Sequence, residues 1–102
     1  MFNKLLGPSI YLILLDLFLE NPDMLVNLRE VARRVEKNPG SISRVMPRLV
    51  KEGFVEKIEV GKVMYAFRLN KKNGLVKLLI EFHQKLKDTY YKEKGEKAKV
   101  KV

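Results

Sequence analysis

Ser41, Arg44, Arg48 and Lys51 follow one another at intervals of three, four and three residues, so a helix would bring them onto one face. Hydroxyls near the start of such a helix and long cations further along suit contact with base edges and phosphate oxygens, the chemistry of docking on duplex DNA. Ser43 and the preceding Asn38 belong to the same stretch. Further on, Gly61 and Lys62 would put a cation at the tip of a hairpin, in reach of a backbone phosphate. Other chemistry finds no foothold. There is no Ser/His/Asp set, no glycine loop to cradle phosphate and no cluster with metal-ligand spacing, so no enzyme activity, cofactor or metal is expected. His83 is the single histidine, set beside an apolar stripe, where packing is its expected role and not metal ligation. Glu20, Asp23, Glu56 and Glu59 read as surface carboxylates.

The charge balance supports a polyanionic partner. Across 102 residues, 21 Lys and Arg stand against 12 Asp and Glu, a formal net charge of +9. It is concentrated in the middle: residues 29–72 hold twelve basic and five acidic groups, net +7, whereas residues 1–28 are net −2. Cysteine is absent, which removes disulfides and thiolate metal sites and is compatible with the reducing cytoplasm expected for the chain. The apolar run from Ile10 is broken at Asp16 and too short to span a bilayer, and the first residues lack a signal-peptide cleavage pattern, so no membrane association is expected.

The elements that must position these residues are legible in turn. A first helix is expected from Pro8 or Ser9 to Glu20, stopped by Asn21-Pro22. Nine of the ten residues from Ile10 to Leu19 are apolar, wider than the stripe of a surface helix, which implies cover on both sides and a second copy of the chain on one of them. Asn27 and Glu30 have capping-box spacing for a helix from Leu28, with Leu28, Val31, Ala32 and Val35 buried. Lys37-Asn38 makes the turn. Asn38 as cap and Pro39 as first residue start the next helix, about 39–52, closed by Gly53. Ile42, Val45, Met46 and Leu49 form its inner face, and Pro47 on the outer face predicts a kink. Strand residues then fill 54–69, with Gly61-Lys62 as a two-residue turn and Val63, Tyr65, Phe67 and Leu69 facing inward. Asn73 caps a last helix from Gly74 to roughly Lys92, striped by Leu75, Leu78, Leu79, Phe82, Leu86 and Tyr90.

The fold class expected is therefore α+β, mainly helical: a winged helix-turn-helix over residues 1–91 with flanking N- and C-terminal dimerisation helices. Residues 92–102, rich in lysine, are expected to form a disordered basic tail. The dimer seam is expected to use Ile10, Leu14 and Leu17 from the first helix and Leu75, Leu79, Phe82 and Leu86 from the last.

Val26-Asn27-Leu28-Arg29-Glu30-Val31-Ala32, Asn38-Pro39-Gly40-Ser41-Ile42-Ser43-Arg44, Arg48-Leu49-Val50-Lys51-Glu52-Gly53-Phe54-Val55 and Leu69-Asn70-Lys71-Lys72-Asn73-Gly74 occur in that order. The ordered set resembles the winged-helix transcriptional regulators of the MarR and ArsR groups, especially small archaeal members, over about half the chain. The resemblance implies a homodimer that places two recognition helices in successive major grooves to regulate nearby promoters. It carries Ser41, Ser43, Arg44 and Arg48 to recognition-helix positions and Gly61 and Lys62 to a wing tip. Two departures limit it. The wing lacks the Asp-x-Arg pattern of many MarR-type proteins, and the cysteine motif of ArsR-type sensors is missing, so thiolate metal sensing is not carried over.

The functional expectation is a sequence-specific regulator of double-stranded DNA. The alternative from another class is an architectural protein that coats DNA through phosphates with little base preference, which the overall charge and basic tail would also suit. No polar constellation identifies a small-molecule effector.

Overall fold

The computed structural model describes the backbone of residues 1–101 and the side chains of residues 1–93. Helix α1, Phe2–Leu6, has no counterpart among the expected elements; α2 follows at Ile10–Glu20, where the Ser9 hydroxyl accepts a hydrogen bond from the Leu12 backbone N–H and caps the helix. α3 spans Leu28–Val35 and α4 Pro39–Lys51, then strands β1, Val55–Val60, and β2, Met64–Leu69, form an antiparallel hairpin. α5 runs from Gly74–Lys101. The side chains of residues 94–102, and with them most of the expected basic tail, lie outside the described residues.

α2 is the axis of the molecule. α1, α3, α4, α5 and β2 all touch it, and its Leu14, Leu15, Phe18 and Leu19 are buried among Val31, Ile42, Met46, Leu49, Leu69 and Val76. Much of the apolar surface of α2 is thus covered within one chain. Leu14 is 0% exposed and has no surface to offer a second copy, and Ile10 and Leu17 are half-buried against the same core. Of the three residues expected at a seam on this helix, Leu14 is spent within its own chain, and Ile10 and Leu17 keep part of their surface.

Asp16, the break in that apolar run, holds the short α1 in place. Its carboxylate accepts hydrogen bonds from the backbone N–H groups of Phe2 at 2.7 Å and Asn3 at 2.9 Å, and lies 2.8 Å from the Met1 amino group. His83 Nε2, from α5, sits 2.9 Å from the same carboxylate, so His83 is packed and bonded as a core histidine. Burial pushes the Asp16 carboxyl up, but the hydrogen bonds from the amino terminus, Asn3, Phe2 and His83 outweigh it and hold the group below its ordinary value.

Between α3 and α4 the chain turns through Glu36, which has φ of 56° in the left-handed region, with its N–H bonded back to Ala32 and Arg33 carbonyls. The turn therefore begins one residue earlier than Lys37-Asn38. Glutamate is strained in this conformation and glycine is not, so Glu36→Gly should raise stability by up to about 1 kcal/mol after the entropy of the freer unfolded chain is subtracted. A lower midpoint in urea denaturation would contradict the strain.

The hairpin is attached more firmly than its two strands suggest. Val26 and Phe67 exchange backbone hydrogen bonds at 3.0 and 2.7 Å, adding a one-residue third strand just before α3. Gly53, at φ of 82°, ends α4 in the left-handed conformation, and its carbonyl accepts from the side-chain amides of Asn70 and Asn73, both at 3.0 Å. These bonds fasten the end of α4 to the end of the wing. The turn is longer than expected: Val60 pairs with Met64, leaving Gly61, Lys62 and Val63 in a three-residue loop, with Gly61 at φ of 71°. Phe67 and Leu69 are buried as expected, but Tyr65 is exposed and Val63 is 90% exposed. Only the base of the hairpin reaches the core. Its outer half projects past the body and is largely exposed.

Candidate nucleic-acid interface

α4 owes its placement to both ends and to its inner face. Asn38 Oδ1 accepts a hydrogen bond from the Gly40 N–H at 2.7 Å, Pro39 occupies the first helical position, and Ile42, Met46 and Leu49 are buried. The outer face then falls to Gly40, Ser43, Arg44, Pro47, Arg48 and Lys51, all exposed, with Ser41 half-buried at its edge. α4 is one helix from Pro39–Lys51 with Pro47 inside it. On the exposed face the carbonyl that Pro47 leaves without a donor can turn to water.

The outer face divides the predicted residues by what else they touch. Arg44 and Lys51 have no carboxylate within salt-bridge distance among the described residues, and the same holds for Lys62 at the exposed wing tip. Their charges face solvent. Arg48 is held differently. Its guanidinium stands 4.8 Å from the centre of the Tyr11 ring and its Nε lies 3.6 Å from a Glu52 carboxylate oxygen. Tyr11 donates its hydroxyl to the same Glu52, and its pKa is pushed up to about 12, by burial first and then by the hydrogen bond and charge of Glu52, with Arg48 acting the other way. The Ser43 hydroxyl donates to the Gly40 carbonyl at 2.8 Å and keeps only acceptor capacity for a partner. Asn38 spends its side-chain oxygen on the cap, leaving the amide as donor.

Several cations that swell the net charge are locally neutralised. Arg33 and Arg34 both bond to Glu30, whose carboxylate is turned to them instead of completing a capping box, while Asn27 accepts from the Glu30 N–H at 2.8 Å. Arg68 pairs with Glu56 directly across the hairpin at 2.8 Å, and Lys71 with Asp23. The charge that remains available is therefore narrower than the sequence total and centres on α4 and the wing. Arg29 and Lys57 belong to this available set although neither is among the site residues expected from sequence. Lys57 pairs with Phe67 and lies with its ammonium 4.2 Å from the Tyr65 ring centre.

Among the described residues no group of three or more His, Asp or Glu side chains could hold a metal ion, and no helix is long and apolar enough to cross a membrane.

Residues 11–59, from α2 into β1, match the IclR helix-turn-helix domain family. Among curated protein sequences none matches this chain. Solved structures match over most of it. The homodimeric winged helix-turn-helix DNA-binding domain Mb0332 of Mycobacterium bovis, described as a possible ArsR-family transcriptional regulator, aligns at 21% identity and a TM-score of 0.64, covering 89% of this chain and 79% of that one. A possible transcriptional regulator of Methanosarcina mazei Go1 aligns at 16% identity and a TM-score of 0.62, covering 96% and 82%. A cysteine-to-serine mutant of ZitR from Lactococcus lactis, in complex with DNA, aligns at 13% identity and a TM-score of 0.62, covering 83% of this chain and 60% of that one. At these identities the likeness is one of architecture, and with α3, α4 and the β1–β2 hairpin in their places the fold is a winged helix-turn-helix.

Proposed function

We propose that this chain is a sequence-specific transcriptional regulator of double-stranded DNA, acting in the cytoplasm as a homodimer and by binding, not catalysis. The observation that carries the reading is the outer face of α4, where Arg44 and Lys51 stand exposed and, among the described residues, without carboxylate partners beside a wing tipped by Lys62. The DNA-bound ZitR structure and the homodimeric Mb0332 domain lend it support, as does the MarR- and ArsR-like order of residues 26–74. A dimer is favoured by the outward side of α5. Leu75, Leu78 and Phe82 are 60%, 64% and 54% exposed and lie three and four residues apart, an apolar stripe that stays largely uncovered by its own chain. Two copies joined there would present two α4 helices to half-sites about 34 Å apart.

Selection of bound fragments from genomic DNA, followed by competition against random duplex at matched salt, tests the reading. A regulator should prefer its selected site by roughly 10³ or more. Equal binding to random duplex would favour the architectural alternative.

Within the site, Arg44→Ala should cost about 1 to 3 kcal/mol and relax preference at one base position. Lys51→Ala should weaken all sequences alike and reduce the salt slope by about one, as loss of a phosphate contact does. Arg48→Ala should have the smallest effect of the three, because its guanidinium is already engaged by Tyr11 and Glu52. Loss of preference with Lys51→Ala and none with Arg44→Ala would reverse the assignment.

A further inference from the structure

Glu52 stands where a helix favours a carboxylate least. It is the C-cap of α4, at the negative end of the helix dipole, and it follows Arg48 by four residues, the weaker order for a helical ion pair. Helix stability therefore does not account for an acid at this position. Its neighbours do. The Tyr11 hydroxyl, arriving from α2, donates to Glu52 Oε1, and the same oxygen lies 3.6 Å from Arg48 Nε. The Arg48 guanidinium meanwhile stands 4.8 Å from the centre of the Tyr11 ring. With its pKa pushed up to about 12, the Tyr11 phenol remains a donor at any pH near neutrality and keeps the carboxylate in place. An exposed ion pair alone would hold Arg48 weakly, but here an aromatic face and an anchored carboxylate hold it from two sides. On the same outer face Arg44 and Lys51 have no carboxylate partner among the described residues.

We propose that Glu52, anchored by Tyr11, is a guard that keeps Arg48 off the phosphate backbone and so lowers the grip of the protein on random duplex. This role rests on the function proposed above, since it needs the outer face of α4 to meet DNA. Glu52 acts in two ways. It occupies a guanidinium that would otherwise neutralise a phosphate, and it sets a negative charge beside the duplex. Tyr11 is a positioning residue that acts through Glu52 and Arg48. A phosphate contact carries no sequence information, so withholding one costs no base preference. It does lower affinity for the far more numerous random sites that would sequester a chain of net charge +9. Arg48 thus counts in that net charge without adding to the grip.

The test measures binding of the full chain to random-sequence duplex DNA as salt is varied. Glu52→Gln should tighten binding about three- to tenfold per copy near physiological salt and steepen the salt slope by about one per copy, the signature of a new phosphate contact. Adding Arg48→Ala should abolish the steeper slope and most of the gain. Tyr11→Phe, which keeps the ring and removes the hydroxyl, should give a smaller gain in the same direction. Glu20→Gln controls for charge, because it removes one carboxylate and unpairs Lys87 at the other end of α2; it should change affinity by less than about twofold. Without DNA, the Tyr11 ring should displace the Arg48 side-chain NMR signals in wild type, and Glu52→Gln should reduce that displacement. Weaker binding by Glu52→Gln would overturn the guard and mean that the carboxylate aims Arg48 at the duplex. An equal gain from Glu20→Gln, or a slope still steeper once Arg48→Ala is added, would overturn it too, since charge alone would then explain the effect. Unchanged affinity in variants that do bind duplex would sink the guard and leave the proposed function standing. No duplex binding by wild type or any variant, with the Arg48 signals displaced as expected, would count against the proposed function and remove the guard with it.

Discussion

Asp16→Ala is expected to lower the stability of the chain by about 3 to 5 kcal/mol, because it withdraws a buried carboxylate from partners that remain buried behind it. The Met1 amino group, two backbone N–H groups and His83 all converge on this one side chain. Asp16→Asn should recover only part of the loss, since the amide keeps an acceptor oxygen but loses the charge and places a second donor among donors. The pH dependence separates charge from packing. The folded state holds this carboxyl below its ordinary value of 3.8, so the unfolded chain takes up the proton first. The contribution is therefore complete above that value and declines as pH falls through the lower, folded one. Urea denaturation of wild type and Asp16→Asn should differ most near neutrality and converge from about pH 5 downward. A difference that stays constant through acid would show that the charge plays no part.

That network marks the boundary of what the sequence makes legible. The helix-turn-helix and wing are set by local signals. Asn27 and Asn38 cap, Pro39 starts, Gly53 stops, and the spacing of Ile42, Met46 and Leu49 decides which face of α4 is outward; each acts over a few residues, and each has its expected place in the structure. What the sequence conceals is set by tertiary neighbours. Nothing local to Asp16 announces His83, which is 67 residues away, and the five-residue α1 is too short to carry a periodic signal of its own. Likewise the alternation Val63, Tyr65, Phe67, Leu69 identifies a face but not how far along it the body extends. The body ends near Phe67, so the same face is core at its base and exposed at its tip. In the candidate site, type and spacing selected exposed residues, whereas the engagement of Arg48 by Tyr11 depends on how α2 crosses α4.

The same limit explains why apolar width alone does not identify a dimer seam. α2 owes much of its apolar width to the five elements of its own chain that touch it. α5 is apolar on two sides for different reasons. Val76, Leu79, Ile80, His83 and Leu86 turn toward the core, the first and fourth fully buried. Leu75, Leu78 and Phe82 turn away from it. Of the four α5 residues expected at the seam, Leu75 and Phe82 are thus on the free side, and Leu79 and Leu86 are half-spent on the monomer.

The free side of α5 carries the largest expected effect on binding. Leu75→Glu together with Leu78→Glu should convert the proposed dimer to a monomer, seen as a halved mass in solution at micromolar concentration. Both side chains are more than half exposed, so the change should leave the unfolding midpoint of the monomer nearly intact. Phe82 is the poorer choice, because its ring also stacks on Phe2 at 6.0 Å and its loss would disturb α1. DNA affinity should fall by about 10² to 10⁴, since two half-sites engaged together hold far more tightly than one. The salt slope should drop toward half, because each copy brings its own set of phosphate contacts. Preference for the half-site sequence should survive, as Arg44 is untouched. A double variant that keeps its dimer mass would place the seam elsewhere. One that becomes monomeric without losing affinity would mean that a single winged helix does all the binding, and that two-fold docking is not how this protein holds DNA.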